Sequence, residues 1–196
     1  MKLLFPNVIH EISIPDFKQI EDDLVKSVYE ERKRDPIGGV NSNRGGWQSK
    51  DLSYSHVIFK LIKDKVVSHF ITTRVFKEGV GINFDNVWLN INKKGDYNHK
   101  HQHPGSHMSG VLWIKAPKDC GIIEFTSPSA FSQWKEVESY NKDILDKIQL
   151  HHSWWFEPVP GHILLFSASL EHLVEPSESN KDRISVSFNV TLQPPS

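Results

Sequence analysis

Apolar and polar positions follow two different periods along this chain, and the change falls near Gly81. Before it the spacing is helical. Pro15 and Asp16 stand where a helix can start, since Pro fits a first turn, and Phe17, Ile20, Leu24, Val25 and Val28 then recur at helical intervals with charges between them. Asp35-Pro36-Ile37-Gly38-Gly39 stops that helix, and Asn41 to Trp47 reads as a loop with two glycines and no period. A second helix is predicted over 55–75, with Val57, Ile58, Leu61, Ile62, Val66 and Phe70 on one face. Beyond Gly81 short apolar runs alternate with Gly, Pro, Asn and Asp, which predicts strands at 87–91, 111–114, 121–125, 163–166 and 184–190. A further helix is predicted over 137–150, with Val137, Tyr140, Ile144, Leu145 and Ile148 on one side. Helices followed by short strands with one inserted helix predict an α+β fold, a sandwich or barrel of strands backed by helices.

Composition narrows the class of protein. A chain of 196 residues and 22.6 kDa suits one domain with a self-sufficient core. With 38% hydrophobic and 24% charged residues it is not a disordered polymer. Lys+Arg 23 against Asp+Glu 24 gives a net charge of -1, which argues against nucleic acid as a whole-chain partner and leaves a local basic groove open. One Cys excludes a disulfide framework and any Cys-based zinc module. The 11 histidines leave nitrogen and oxygen as the ligands for any metal. Met1 to Pro6 is too short an apolar start for a signal peptide, and no stretch approaches the roughly 18 apolar residues a membrane span needs, so a cytoplasmic, reducing location is expected. No oligomeric state follows.

Four histidines fall between positions 99 and 107. On a strand, residues two apart share a face, so His99, His101 and His103 would line one side, with Pro104-Gly105 turning the chain at a strand mouth. A His-x-His pair is a two-point chelate that needs a third ligand, and His172, at the exit of the strand at 163–166, is the candidate. Eleven residues on, Arg183, Ser185, Ser187 and Asn189 share one face of a strand whose other face is Ile184, Val186 and Phe188. An Arg in mid-strand wants an anion, and its fork matches a carboxylate, with a hydroxyl two residues on as a further donor. His107 and His162 read as surface or hydrogen-bonded groups, Trp154, Trp155 and Phe156 as core or lid packing, and Cys120 as a small buried hydrophobe.

These pieces together resemble the Fe(II)- and 2-oxoglutarate-dependent oxygenases, and most closely an oxygenase family of bacterial and phage genomes. The resemblance rests on Ser42-Asn43-Arg44-Gly45-Gly46-Trp47-Gln48-Ser49, Trp88-Leu89-Asn90, Lys94-Gly95-Asp96, His101-Gln102-His103-Pro104-Gly105-Ser106, Ser109-Gly110-Val111 and the segment from Pro158 to Asn189, and is least over 127–155. It implies a single oxygenase domain over 1–196: a double-stranded β-helix (jelly-roll) core over 81–196, helical support over 1–80, and an insertion near 127–157. It implies Fe(II) on His101, His103 and His172, with no catalytic residue beyond the metal centre. The far carboxylate of 2-oxoglutarate would lie on Arg183 and Ser185, with Asn90 and Trp88 lining or supporting the site. O2 would then drive hydroxylation of a C–H bond in a small molecule or in a protein side chain such as prolyl. Most relatives place a carboxylate where His103 stands. His103 ligates in its place, or water does, or the frame shifts to His99 and His101, with Asp96 an outside carboxylate. Trp113 stands where many relatives have a Tyr on the co-substrate. Two other classes compete: a three-His zinc hydrolase or lyase, and a jelly-roll binding module without enzymatic activity.

Overall fold

The computed structural model describes residues 6–129, 139–148 and 150–195. Strand β1 (Ile9–Ser13) leads through a 3-10 turn, Phe17–Gln19, into α1 (Glu21–Arg34). Two short strands follow, β2 (Asn43–Arg44) and β3 (Trp47–Gln48), then α2 (Val57–Thr73), β4 (Gly81–Asn92), β5 (Tyr97–His101), β6 (Met108–Lys115) and β7 (Ile123–Thr126). The chain ends with α3 (Lys142–Ile148), β8 (Ser153–Phe156), β9 (His162–Ser167), β10 (His172–Val174) and β11 (Arg183–Gln193). All pairings are antiparallel. They form a six-stranded sheet, β1-β9-β6-β11-β4-β3, and a five-stranded sheet, β2-β5-β10-β7-β8. This is the expected jelly roll.

The large sheet has two unlike faces because strand side chains alternate. Its outer face carries Leu89 and Ile91 from β4, Leu112 and Ile114 from β6, Ile163 and Leu165 from β9, and Ile184, Val186 and Phe188 from β11. These pack in one cluster with Leu24 and Val28 of α1 and Ile58, Phe59, Ile62, Val66 and Phe70 of α2. Each such side chain contributes roughly 1.5–3 kcal/mol by leaving water. The inner face gives a smaller cluster: Val111 and Trp113 of β6, Leu164 and Phe166 of β9, and Ile123 and Phe125 of β7. Where β11 and β4 replace β6 and β9, that inner face turns polar.

Several expectations are corrected. The first helix does not start at Pro15: Asp16 adopts a left-handed conformation (φ 54) and the 3-10 turn intervenes before Glu21. The predicted loop at Asn41 to Trp47 contains β2 and β3, which lie in different sheets. Between them Gly45 and Gly46 both take positive φ (66 and 68), and a Cβ on Gly45 would lie 2.0 Å from Asp96 Oδ1. Only glycine carries the chain from one sheet to the other there. The third helix is short and its described residues are not buried, while Val137 and the start Met1 to Phe5 lie outside the described residues. Trp154 and Trp155 are 37% and 55% exposed on β8, at the edge of the small sheet, rather than core, whereas Phe156 packs on the inner cluster. No described helix is long and apolar enough to cross a membrane.

Candidate metal centre

Three histidines meet in the small sheet. One ligand atom from each of His101, His103 and His172 lies within 4.8 Å of the others. Pairing of β10 with β5 sets His172 opposite His101. His172 is therefore not the exit of the strand before it: it opens β10, in the other sheet. Nor does His103 belong to a strand with His101. β5 ends at His101, and His103 lies in the turn that follows, fixed by its backbone N–H donating to Ala168 O at 2.9 Å.

The tautomers are set by backbone carbonyls. Nδ1 of His101 donates to His99 O at 2.6 Å and Nδ1 of His172 donates to Leu170 O at 2.9 Å. Each Nε2 is left as a lone pair, the form a metal requires. Burial lowers the pKa of all three imidazoles, and a neighbouring imidazole lowers two of them further, His103 to about 4 and His172 to about 3. At neutral pH the cluster is three uncharged nitrogen donors.

An inner cavity of about 50 Å³ between the sheets is lined by the three histidines together with Trp88, Asn90, Trp113, Arg183 and Ser185. Arg183 is 2% exposed. Its Nη1 donates to Cys120 O at 2.6 Å and Gly121 O at 3.3 Å, and among the described residues no carboxylate lies within ion-pair distance of it. Burial lowers its pKa, opposed by Asp96 among others, yet a guanidinium stays charged. A buried cation without a paired anion is costly, so this cavity is built for an anionic guest. The donor set and the lone guanidinium fit a divalent metal chelated by a dicarboxylate.

The remaining candidates fall outside the cluster. Asn90 Nδ2 donates to Ser187 Oγ at 3.1 Å on the polar inner face. Asp96 is a turn former, its Oδ2 accepting from Lys93 N at 2.7 Å. His99 is exposed, with its ring against Tyr97 at 5.2 Å. His107 Nδ1 accepts from Leu192 N at 3.0 Å, and Cys120 is buried beside Arg183. A larger open groove of about 1040 Å³ leads from the histidines to the surface and is lined by Arg44, Gln48, Ser49, Asp51, Asn86 and Asn189 among others. Gln48, Ser49 and Asp51 have no periodic signature, and only the motif around Gly45-Gly46 marked that region.

The fold and the chain's own pattern both have relatives. A viral collagen prolyl hydroxylase from Paramecium bursaria Chlorella virus-1 superposes with a TM-score of 0.60 at 17% identity, over 93% of this chain and 94% of that one. A Pseudomonas putida prolyl-4-hydroxylase gives 0.64 at 13% identity, over 93% and 92%. A Trichoplax adhaerens prolyl hydroxylase, solved with a hypoxia-inducible-factor peptide fragment, gives 0.63 at 12% identity, over 93% and 83%. No curated protein matches. A family model described as a 2OG-Fe(II) oxygenase matches residues 86–189, the segment that runs from within β4 to within β11 and carries all three histidines. The chain therefore belongs to the 2OG-Fe(II) oxygenases, enzymes that use Fe(II), 2-oxoglutarate and O2.

Proposed function

We propose that His101, His103 and His172 hold Fe(II), that Arg183 and Ser185 take the distal carboxylate of 2-oxoglutarate with Asn90 beside it, and that the enzyme hydroxylates a C–H bond, with a protein side chain such as prolyl as the substrate. When bound, the iron with 2-oxoglutarate and O2 supplies the oxidising power, and succinate and CO2 are the co-products. The chain's own residues orient and neutralise. His101 and His172 are aimed by their carbonyl bonds, and three neutral ligands leave the charge of Fe(II) to the dianionic co-substrate, which explains how His103 can stand where relatives carry a carboxylate. Trp113 and Phe166 exclude water from the inner cavity. The prolyl hydroxylases among the structural neighbours support the side-chain reading.

The observation that carries this reading is Arg183, buried and with no carboxylate at ion-pair distance among the described residues, in one cavity with the three histidines. A three-His zinc hydrolase has no use for such a clamp. The test is anaerobic addition of Fe(II) and 2-oxoglutarate, which should give a weak visible charge-transfer band, followed by oxygen, which should give succinate. Retention of zinc with neither signal would sink the proposal.

A further inference from the structure

The open groove outside the metal cluster has a chemistry of its own. Its lining carries three cations, Arg44, Lys50 and Lys100, against one carboxylate, Asp51, in a chain whose net charge is -1. Arg44 is the fixed one. Its Nη1 donates to Asn43 O at 2.8 Å and Asn41 O at 3.2 Å, and among the described residues no carboxylate pairs with it. Lys50 meets the part-buried Asp35 at 3.3 Å, and Lys100 meets Glu171 at 3.5 Å as an exposed pair. An exposed pair contributes little, so an incoming carboxylate can take the place of Glu171 on Lys100.

Two further features belong to the same groove. Asn189 is 9% exposed and lines it, yet its amide makes no hydrogen bond among the described residues, and Oδ1 is buried. Among the described residues its Nδ2 has no partner and is not one of the buried polar atoms, so it is the end of the amide that can donate to a guest's peptide carbonyl. Ile37 and Val40 are 91% and 80% exposed on the loop that flanks the groove at Gly39. That loop is held, not loose: Gly39 N donates to Gln48 O at 2.8 Å and Asn41 N to Asn43 Oδ1 at 2.7 Å.

We infer that the groove binds an extended acidic peptide segment, with a carboxylate of that segment on Arg44 and a backbone amide on Asn189. This rests on the oxygenase reading above and adds the charge of the substrate. A volume of about 1040 Å³ is at the upper end for small-molecule sites, which favours a chain over a metabolite. A polyphosphate backbone needs more cations than three, two of them already paired. Arg44 pairs with Tyr97, four residues before His101 on the same strand. At about 3.3 Å per residue this puts the anchor about 13 Å from the metal, or about four residues along a bound strand.

The test uses fluorescein-labelled prolyl nonapeptides with Glu, Gln or Lys at the fourth position on each side of the proline. Anisotropy is measured on the whole chain with Fe(II) and 2-oxoglutarate under anaerobic conditions, and again without them. The Glu peptide should bind about tenfold tighter than the Gln peptide, the worth of one charge-assisted contact. Arg44→Gln should erase that preference and Arg44→Glu should turn it toward the Lys peptide. Lys100→Glu, which touches no loop carbonyl, should weaken it even if the Arg44 variants misfold. Asn189→Leu should weaken all three peptides alike. Equal binding of Glu and Gln peptides, a preference that survives both Arg44→Glu and Lys100→Glu, tighter binding of a single-stranded oligothymidylate, or full competition by free glutamate would each overturn the inference. Succinate formation in the assay of the preceding section would persist in those cases, whereas failure of the oxygenase reading removes succinate and leaves peptide binding intact.

Discussion

The outer and inner faces of the six-stranded sheet are built from the same strands and do opposite work. On β11 the odd and even positions separate: Ile184, Val186 and Phe188 are buried under the helices, while Arg183 and Ser185 line the inner cavity and Asn189 lines the groove outside it. The outer face gains by dispersion and by exclusion of water, and any apolar side chain of the right volume serves. The inner face buries polar groups that the protein itself does not fully satisfy. The difference teaches that stability and function are divided by a single register, since a slip of one residue on β11 would exchange the two sets.

The sharpest way to break that division is His172→Ala. Iron should fall to background in the purified protein and succinate production should vanish, while the circular dichroism melt stays close to wild type. A collapse of the fold would show that the inner face holds the sheets together, contrary to the division. Phe188→Ala, on the outer face, should do the reverse: a loss of about 3–5 kcal/mol in denaturant unfolding, with iron affinity kept in the fraction that remains folded. Arg183→Met should raise the 2-oxoglutarate requirement about 10–100-fold, or about 1.4–2.8 kcal/mol, and leave iron binding in place. His103→Asp restores the carboxylate common among relatives and should retain iron, where His103→Ala loses most of it.

A separate effect, confined to the metal-free protein, is a pH dependence of stability. Folded His103 and His172 titrate at about 4 and about 3, below the ordinary value of 6.5. Between those values the unfolded chain binds more protons than the folded one, so stability rises with pH across that window and falls as pH drops from 6.5 toward 4. Melting temperatures from pH 7 to pH 4.5 should decline, and His172→Phe should flatten the slope. An unchanged slope would mean the imidazoles are already protonated in the folded state.

Much of this was legible in residue order. The strands at 87–91, 111–114, 163–166 and 184–190 all appear, extended at their ends, and the second helix appears two residues shorter at each end, because long apolar runs packed between helix and sheet leave a strong periodic trace. Strands β1, β2, β3, β8 and β10 escaped. β2 and β3 have two residues each, too few for a period, and β8 exposes Trp154 and Trp155, so its apolar content misreads as core. His101, His103 and His172 were foreseen together, but the reason they meet was not. It is a pairing between β5 and β10, some seventy residues apart, and no local pattern encodes a partner at that distance. Arg183 was read from its place in mid-strand, and its lack of an anion is a property of three dimensions only.

The strand order has a consequence for how the molecule comes to exist. β11 occupies the middle of the large sheet, between β6 and β4, although it is the last strand along the sequence. Until it inserts, β4 and β6 have no common neighbour and Arg183 has no cavity. Pairing Arg183 with Asn92 closes a loop of about ninety residues, a large entropic step of the kind that slows β-rich chains to milliseconds or seconds. A nascent chain can therefore form its helices early and hold its histidines in sequence, but the cavity around Arg183 is complete only once this strand inserts.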